Sequence, residues 1–457
     1  MTVNSPTSLP NSRNCSRYGL AIIFLILFGL AIGIRIYLAT HYGPVVASDS
    51  RGYLNLAVMM HTHVFTGYNA WRTPGYPWFL NLFDRSLSAV VAAQNTMGLL
   101  SVLLVSLLFW KLTKKSTLSA MLGFILAFSL DFLFLDEYIL TESLATLLFA
   151  IAAAWMVFDF PAYTPRGWRL PLVGGVLVAV LTLTRPCFIV LIPSVALVLL
   201  LTKLLVRPSP PVFLRLAVFL VSALLPILAW MAFNKTQIGR FTLSTTSDYN
   251  LIQHTIPFIE SASQADPANR YIPILVQARE ESAELVRITD GNRSLMSIPG
   301  IDVIPPKAYQ ALSMEAIKQH PGKYLFSVGK SWLRFWRVSL IYDPDYAQSP
   351  AIRDLCPLVW PLQKGLWLIC DFLFLLSVAL VPFTIFLRRN VGWFECLAIS
   401  ILAVSVLQAL LTYADNARFV IPMKPLIALM VFYSITVVEP DRFTLASVVR
   451  RFHRHAP

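Results

Sequence analysis

Residues 45–57 read VVASDSRGYLNLA, and residues 71–79 read WRTPGYPWF. The first stretch follows the apolar run Tyr18 to Thr40. It places Asp49, Tyr53 and Ala57 at i, i+4 and i+8, one face of a short helix that begins at Ser48-Asp49. The second sets two prolines three residues apart behind Arg72, a stiff turn that fixes the arginine near a membrane surface. An acid near the start of a helix has an ordinary use: it caps the helix and sits at its positive end. That reading accounts for Asp49 alone but not for the charges found elsewhere on the same side.

The chain of 457 residues is 56% hydrophobic and only 13% charged, with mean hydropathy +0.65. Soluble domains are about one quarter charged, and several apolar runs here reach the roughly 20 residues a helix needs to cross a bilayer. The composition is that of a polytopic membrane protein. The net charge of +13 lies in short clusters between apolar runs, as the positive-inside rule expects, and not in a basic stripe for nucleic acid. The polar N-terminus lacks a small-residue cleavage site after the first span and reads as a retained anchor. Cys15, Cys187, Cys356, Cys370 and Cys396 show no metal-ligand spacing.

Ten spans are predicted, at 18–40, 87–110, 117–135, 139–158, 171–185, 187–203, 212–234, 363–387, 393–413 and 418–438. With the N-terminus inside, the inner loops carry Lys111, Lys114 and Lys115, then Arg166 and Arg169, then Lys203, Arg207 and Arg215, then Arg388 and Arg389, and the basic tail is also inside. This count divides 171–203 into two short segments meeting at Arg185-Pro186; one tilted helix would put the last clusters outside. The domains expected are an N-terminal membrane module, 1–234, with its first outer loop at 41–86; a mainly helical extracytoplasmic domain, 235–362; and a C-terminal membrane module, 363–457. No internal repeat is visible.

On the outer side, Glu142 stands about one turn into the fourth span and Arg418 at the mouth of the last. Charges at the lip of a span are costly unless paired or used. At this point the chain resembles the GT-C glycosyltransferases that use polyprenyl-phosphate sugars, near the protein-mannosyltransferase and lipid A aminoarabinose-transferase branch. The resemblance rests on D-x-x-x-Y-x-x-x-A at 49–57, R-T-P-G-Y-P at 72–77, T-E-S-L at 141–144, L-T-R-P at 183–186, H-P-G-K-Y-L at 320–325 and R-F-x-x-P-x-x-P at 418–425, in order from about residue 20 to 440. It implies a GT-C-like bundle of about ten transmembrane helices, with Asp49 as catalytic base and Glu142 as an acid that helps build the site. Arg72 and Arg418, with Lys424 as a weaker third, would hold the donor phosphate; Tyr53 and Tyr76 would support them. Asp136 and Glu137 are further site acids, evenly divided between solvated surface and contacts to acceptor or metal. Asp49 is followed by Ser50 rather than a second acid, so a divalent metal is not favoured and no cofactor is assigned.

The chemistry implied is inverting transfer of a sugar from a polyprenyl-phosphate donor to a hydroxyl of a lipid, glycan or protein, at the extracytoplasmic face of a bacterial inner or cell membrane. Asp49 takes the acceptor proton, and guanidinium groups stabilise the departing phosphate. The chain has no Gly-rich nucleotide loop, and no nucleic-acid partner is expected. A transporter or flippase of lipid-linked sugars is the alternative, although such folds place charges near the midplane between repeats. Other residues have bland readings: Arg35 as a snorkelling anchor rather than a lipid-phosphate ligand, His61 and His63 as an incidental pair, Arg185 as a hairpin cap or a residue facing the cavity, with the cap favoured, and Trp332, Phe335 and Trp336 as a packing face.

Overall fold

The computed structural model describes residues 12–159, 168–205, 211–265, 267–288, 304–382, 385, 391–413 and 416–437. Among these the regular secondary structure is helical, with one isolated β-bridge. Helix α1 (Ser12–His41) leads to the first loop, which holds α2 (Ser48–Thr62) and α3 (Gly75–Asn81). Then come α4 (Leu87–Thr113), α5 (Ser116–Ala127), the short α6 (Leu130–Leu135), α7 (Glu142–Asp159), α8 (Arg169–Thr184), α9 (Leu191–Leu205) and α10 (Pro211–Ile238). Four further helices follow: α11 (Thr246–Thr255), α12 (Ile272–Ile288), α13 (Pro306–Gln319) and α14 (Pro321–Phe335). The chain returns to apolar helices with α15 (Pro350–Ala379), α16 (Trp393–Leu411), α17 (Asn416–Phe419) and α18 (Lys424–Val437).

Among the described residues six helices are long and apolar enough to span a membrane: Leu87–Thr113, Glu142–Asp159, Phe213–Ile238, Pro350–Ala379, Trp393–Leu411 and Ala417–Thr436. Four shorter apolar helices, Leu25–His41, Ser116–Ala127, Arg169–Thr184 and Pro186–Leu201, fall on the other predicted spans. The outward faces carry exposed leucines, isoleucines and phenylalanines such as Leu225, Leu358 and Phe372, as lipid contact requires. The predicted break at Arg185-Pro186 is present: α8 ends at Thr184, Arg185 is extended (φ −140°, ψ 112°), and a 3₁₀ turn follows over Pro186–Val190. Proline disfavours helical geometry in the residue before it. The clusters at Arg166, Arg207, Arg388 and Arg389, the N-terminal leader and the basic tail lie outside the described residues.

Two boundaries differ from expectation. The span predicted at 117–135 breaks after Ala127 and resumes at Leu130. The amide of Gln363 serves the break, donating to the Phe128 carbonyl and accepting from the Leu130 N–H, both at 2.9 Å. A side chain thus replaces backbone bonds that lipid would leave unmade. Helix α15 begins at Pro350, well before 363, and contains Pro357 and Pro361. The prolines read as loop in the sequence, but a long helix tolerates them where neighbouring groups satisfy the freed carbonyls.

Helices α11 to α13 and the turns between them share a core around Ile252, Ile259, Leu275 and Leu312. Helix α14 ties this mass to the apolar bundle: Trp332 donates to Ser405 at 3.0 Å, and Phe335 and Trp336 pack in the membrane core. The aromatic trio is a packing face, as its spacing suggested.

Inside the bundle, Lys424 is fully buried, its ammonium bonded to Asp131 and 5.0 Å above the Trp367 ring. Asp371 is buried nearby and interacts electrostatically with both. Removing one partner of a buried pair strands the other's charge, at about 3–5 kcal/mol. Lys424→Met is therefore expected to lower the melting temperature in detergent sharply, and Lys424→Met with Asp131→Asn to recover part of it. Equal melting of wild type and single variant would show that the pair contributes nothing.

Candidate active site

The site is assembled where the first loop meets the turn before α7. Val45 and Tyr138 form a parallel bridge: the Val45 N–H donates to the Glu137 carbonyl at 2.9 Å, and Ile139 N–H to the Val45 carbonyl at 3.0 Å. This link sets the start of α2 beside the start of α7, and with it Asp49 beside Glu142. Asp49 does not cap α2. The Ser50 hydroxyl does, accepting from the Ala47 N–H at 2.9 Å, so the residue that follows Asp49 performs the cap.

The carboxylate of Asp49 is bound by two arginines. Arg72 donates to Oδ1 at 2.7 Å, and Arg418 donates to Oδ2 at 2.6 Å. Arg418 also reaches Glu142, with its Nε 3.0 Å from Oε1, and Arg185 Nη1 lies 3.3 Å from the same oxygen. These two contacts to Glu142 are close approaches of opposite charge, not aligned hydrogen bonds. Three guanidinium groups and two carboxylates thus alternate in a chain, Arg72–Asp49–Arg418–Glu142–Arg185, with one positive charge in excess. Burial raises the Asp49 pKa, but the charges of Arg418 and Arg72 outweigh it and hold the carboxyl below the usual carboxylate range.

Surrounding residues fix this chain of charges. Arg72 lies over the Tyr53 ring at 4.6 Å, and Tyr53 meets Tyr76 edge-on at 5.2 Å. The Tyr76 hydroxyl donates to Gln94 at 2.6 Å, and the Gln94 amide donates to the carbonyls of Asp136 and Tyr138, both at 2.8 Å. The spacing of Tyr53 and Tyr76 behind Asp49 therefore makes a buttress for Arg72. Two glycines make room: a Cβ on Gly52 would stand 2.9 Å from Arg72 Nε, and one on Gly75 would stand 2.8 Å from the Leu183 carbonyl. Gly75 lets the R-T-P-G turn lie directly on the L-T-R-P end of α8, which brings Arg72 and Arg185 into one site. Ahead of Arg72, Ala70 holds a left-handed backbone (φ 55°), an uncommon conformation for a residue with a Cβ. It is clamped from residues 244–246: the Thr245 N–H donates to the Ala70 carbonyl at 2.9 Å and the Ser244 hydroxyl to the Trp71 carbonyl at 2.8 Å.

Other sequence candidates lie apart or differ from expectation. Lys424 is engaged with Asp131 and does not join the arginines among the described residues; the 3₁₀ turn Ile421–Met423 separates it from Arg418. Asp136 and Glu137 are buried, so the solvated-surface reading fails. Asp136 pairs with Arg35 at 3.3 Å and accepts from Ser143 at 2.6 Å, while Glu137 accepts from Asn95 at 2.9 Å. Burial pushes Asp136 up to about 6 and Glu137 up to about 7. Arg35 does not snorkel; it is buried and also donates to the Ala127 carbonyl at 3.1 Å. Between this cluster and the first is a cavity of about 20 Å³, lined in part by Asp136, Glu142, Ser143 and Ile421, room for about one water. Of the two readings of Arg185, the hairpin cap gives way to the inward one, since the side chain turns to Glu142. His61 and His63 are exposed.

No protein-family model and no curated protein matches the chain. Solved structures do. The archaeal oligosaccharyltransferase AglB from Archaeoglobus fulgidus, in complex with an inhibitory peptide and a dolichol-phosphate, is similar over 95% of this chain and 52% of that one, at TM-score 0.49 and 11% identity. The chain spans about half the length of the archaeal enzyme. ArnT from Cupriavidus metallidurans, in the apo state and bound to undecaprenyl phosphate, is similar over 92% of this chain and 78% of that one, at TM-score 0.39 and 16% identity.

Proposed function

We propose that the protein is an integral-membrane glycosyltransferase that moves a sugar from a polyprenyl-phosphate donor to an acceptor hydroxyl, on the extracytoplasmic face, with Asp49 as general base. The observation that carries this reading is the alternating chain Arg72–Asp49–Arg418–Glu142–Arg185. It draws on five of the motifs that resemble the GT-C enzymes and supplies what the reaction needs: a carboxylate for the acceptor proton and an excess of guanidinium charge for the departing phosphate. Arg72 and Arg418 bind the phosphate in this reading, and Glu142 holds Arg418 and Arg185 in place. Asp136 and Glu137, already bonded to Arg35, Ser143 and Asn95, serve as support beneath the loop that carries Glu142.

The test is mass spectrometry of cell-envelope glycans and polyprenyl-phosphate sugars with and without the gene. Loss of the protein is expected to leave a lipid-linked sugar accumulating and one acceptor decoration missing, which identifies both substrates. Unchanged pools of both would reject the assignment.

The same reading sets a topology. The first loop and the 235–362 segment are expected on one, non-cytoplasmic side, and the clamp between 69–71 and 244–246 supports this. Cysteines introduced at the exposed positions Asn69 and Lys318 should both react with an impermeant maleimide in intact cells. Reaction at only one of them would break the span count.

A further inference from the structure

We propose that in the donor-free protein the Asp49 carboxylate occupies the seat of the donor's phosphate, and that the arriving phosphate displaces Asp49 and so frees it to act as base. This rests on the functional reading above and adds an order of events to it: the acceptor cannot be deprotonated until the donor has bound.

Both Asp49 oxygens are occupied, Oδ1 by Arg72 and Oδ2 by Arg418. A carboxylate held this way is stabilised in its charged form and accepts a proton poorly. As it stands, the group best placed to be the base is masked. The guanidinium fork fits the paired oxygens of a carboxylate and the non-bridging oxygens of a phosphate alike. Two arginines that grip two oxygens on one carbon will grip two on one phosphorus.

The seat is also better suited to phosphate than to its present occupant. Arg72 Nε and Arg185 Nη1 are buried N–H groups with no hydrogen-bond acceptor among the described residues. An additional acceptor is called for, and a phosphate brings more oxygens than a carboxylate. The chain of five charges has one positive charge in excess, which a single phosphodiester anion neutralises; the fit is to a donor with one phosphate rather than a diphosphate.

The two acids differ in their freedom to leave. The Asp49 side chain is 30% exposed, whereas Glu142 is 2% exposed and faces Arg418 and Arg185 from the buried side. Glu142 is therefore a positioning residue that keeps both arginines in place after Asp49 lets go. In the transfer step the acceptor oxygen bonds to the anomeric carbon and its proton passes to Asp49. The carbon–oxygen bond to the phosphate breaks, and the phosphate leaves with the electron pair.

The probe is sugar-free undecaprenyl phosphate, titrated into the full-length protein in lipid nanodiscs, with melting temperature recorded for each variant. Asp49→Asn is expected to bind it about 10-fold tighter than wild type, because a competing charged partner of both arginines is gone. Asp49→Ala, which removes both oxygens, should tighten binding at least as much, and Arg418→Gln should weaken it by about 10-fold or more. If Asp49→Ala melts early, Asp49→Asn decides alone. Equal or weaker binding by Asp49→Asn, with wild type still binding, would show that Asp49 merely orients the arginines; the displacement is then wrong and the donor reading stands. No binding by any form overturns both.

Discussion

Asp49→Asn is expected to reduce the rate of sugar transfer roughly 10²-fold or more, with expression and melting temperature close to wild type. The amide keeps the shape and retains an oxygen for one arginine, so the local fold survives, but it cannot take the acceptor proton. Asp49→Glu is also expected to be impaired, because one added methylene moves the carboxylate and small displacements of a catalytic group are costly. The measurement is turnover at saturating donor and acceptor. The helix-capping reading predicts near-normal turnover for Asp49→Asn, because asparagine caps about as well as aspartate. The structure has already moved the cap to Ser50, so near-normal turnover would leave Asp49 only as a partner of Arg72 and Arg418 and return attention to Glu142.

Arg418→Gln is expected to have the second large effect. Among the described residues Arg418 touches both acids, with Nη2 on Asp49 and Nε beside Glu142. Loss of a preorganised donor to a developing oxyanion costs about 10²–10³-fold in rate, and donor affinity should fall with it. Arg418→Lys is not expected to rescue, because an ammonium cannot span two carboxylates in the geometry of a planar fork. A variant with unchanged apparent donor affinity and reduced acceptor affinity would place Arg418 on the acceptor side instead.

Much of this arrangement of charges is legible in the sequence. Asp49, Arg72, Glu142 and Arg418 each stand beside a helix start or a proline turn, where the local pattern gives both the element and the depth. What the pattern does not contain is the direction in which a side chain turns. Arg185 precedes a proline and reads as the cap of a hairpin, yet it projects to Glu142 across the bundle. Lys424 is six residues from Arg418 and reads as its companion, but the chain turns through a 3₁₀ segment between them and the lysine enters the core. Asp136 and Glu137 carry the hydropathy of a solvated loop and are buried because Arg35, Asn95 and Ser143, distant or adjacent in sequence, converge on them. Gln94 and Gln363 look like isolated polar residues in apolar helices. Their partners, the Tyr76 hydroxyl and the broken backbone at Phe128–Leu130, come from other helices. The break in the third predicted span was hidden for the same reason: hydropathy continues across it, and the side chain that permits it arrives more than two hundred residues later.

The alternating chain of charges has a consequence for how the protein is made. Its pairs are completed in the order of synthesis: Asp49 with Arg72, then Glu142 with Arg185, while domains and local units form from the N-terminus as the chain emerges. Each early pair is electrically neutral, so a nascent chain can place it at the membrane without carrying an unmatched charge. Arg418 comes last and joins the two pairs, adding the positive charge that makes the site attractive to an anion. Before Arg418 is placed, each of the two acids faces one arginine, and the bridge that joins Asp49 to Glu142 is missing. On the proposed function, the seat for a phosphate is therefore complete only once Arg418 has joined the two earlier pairs.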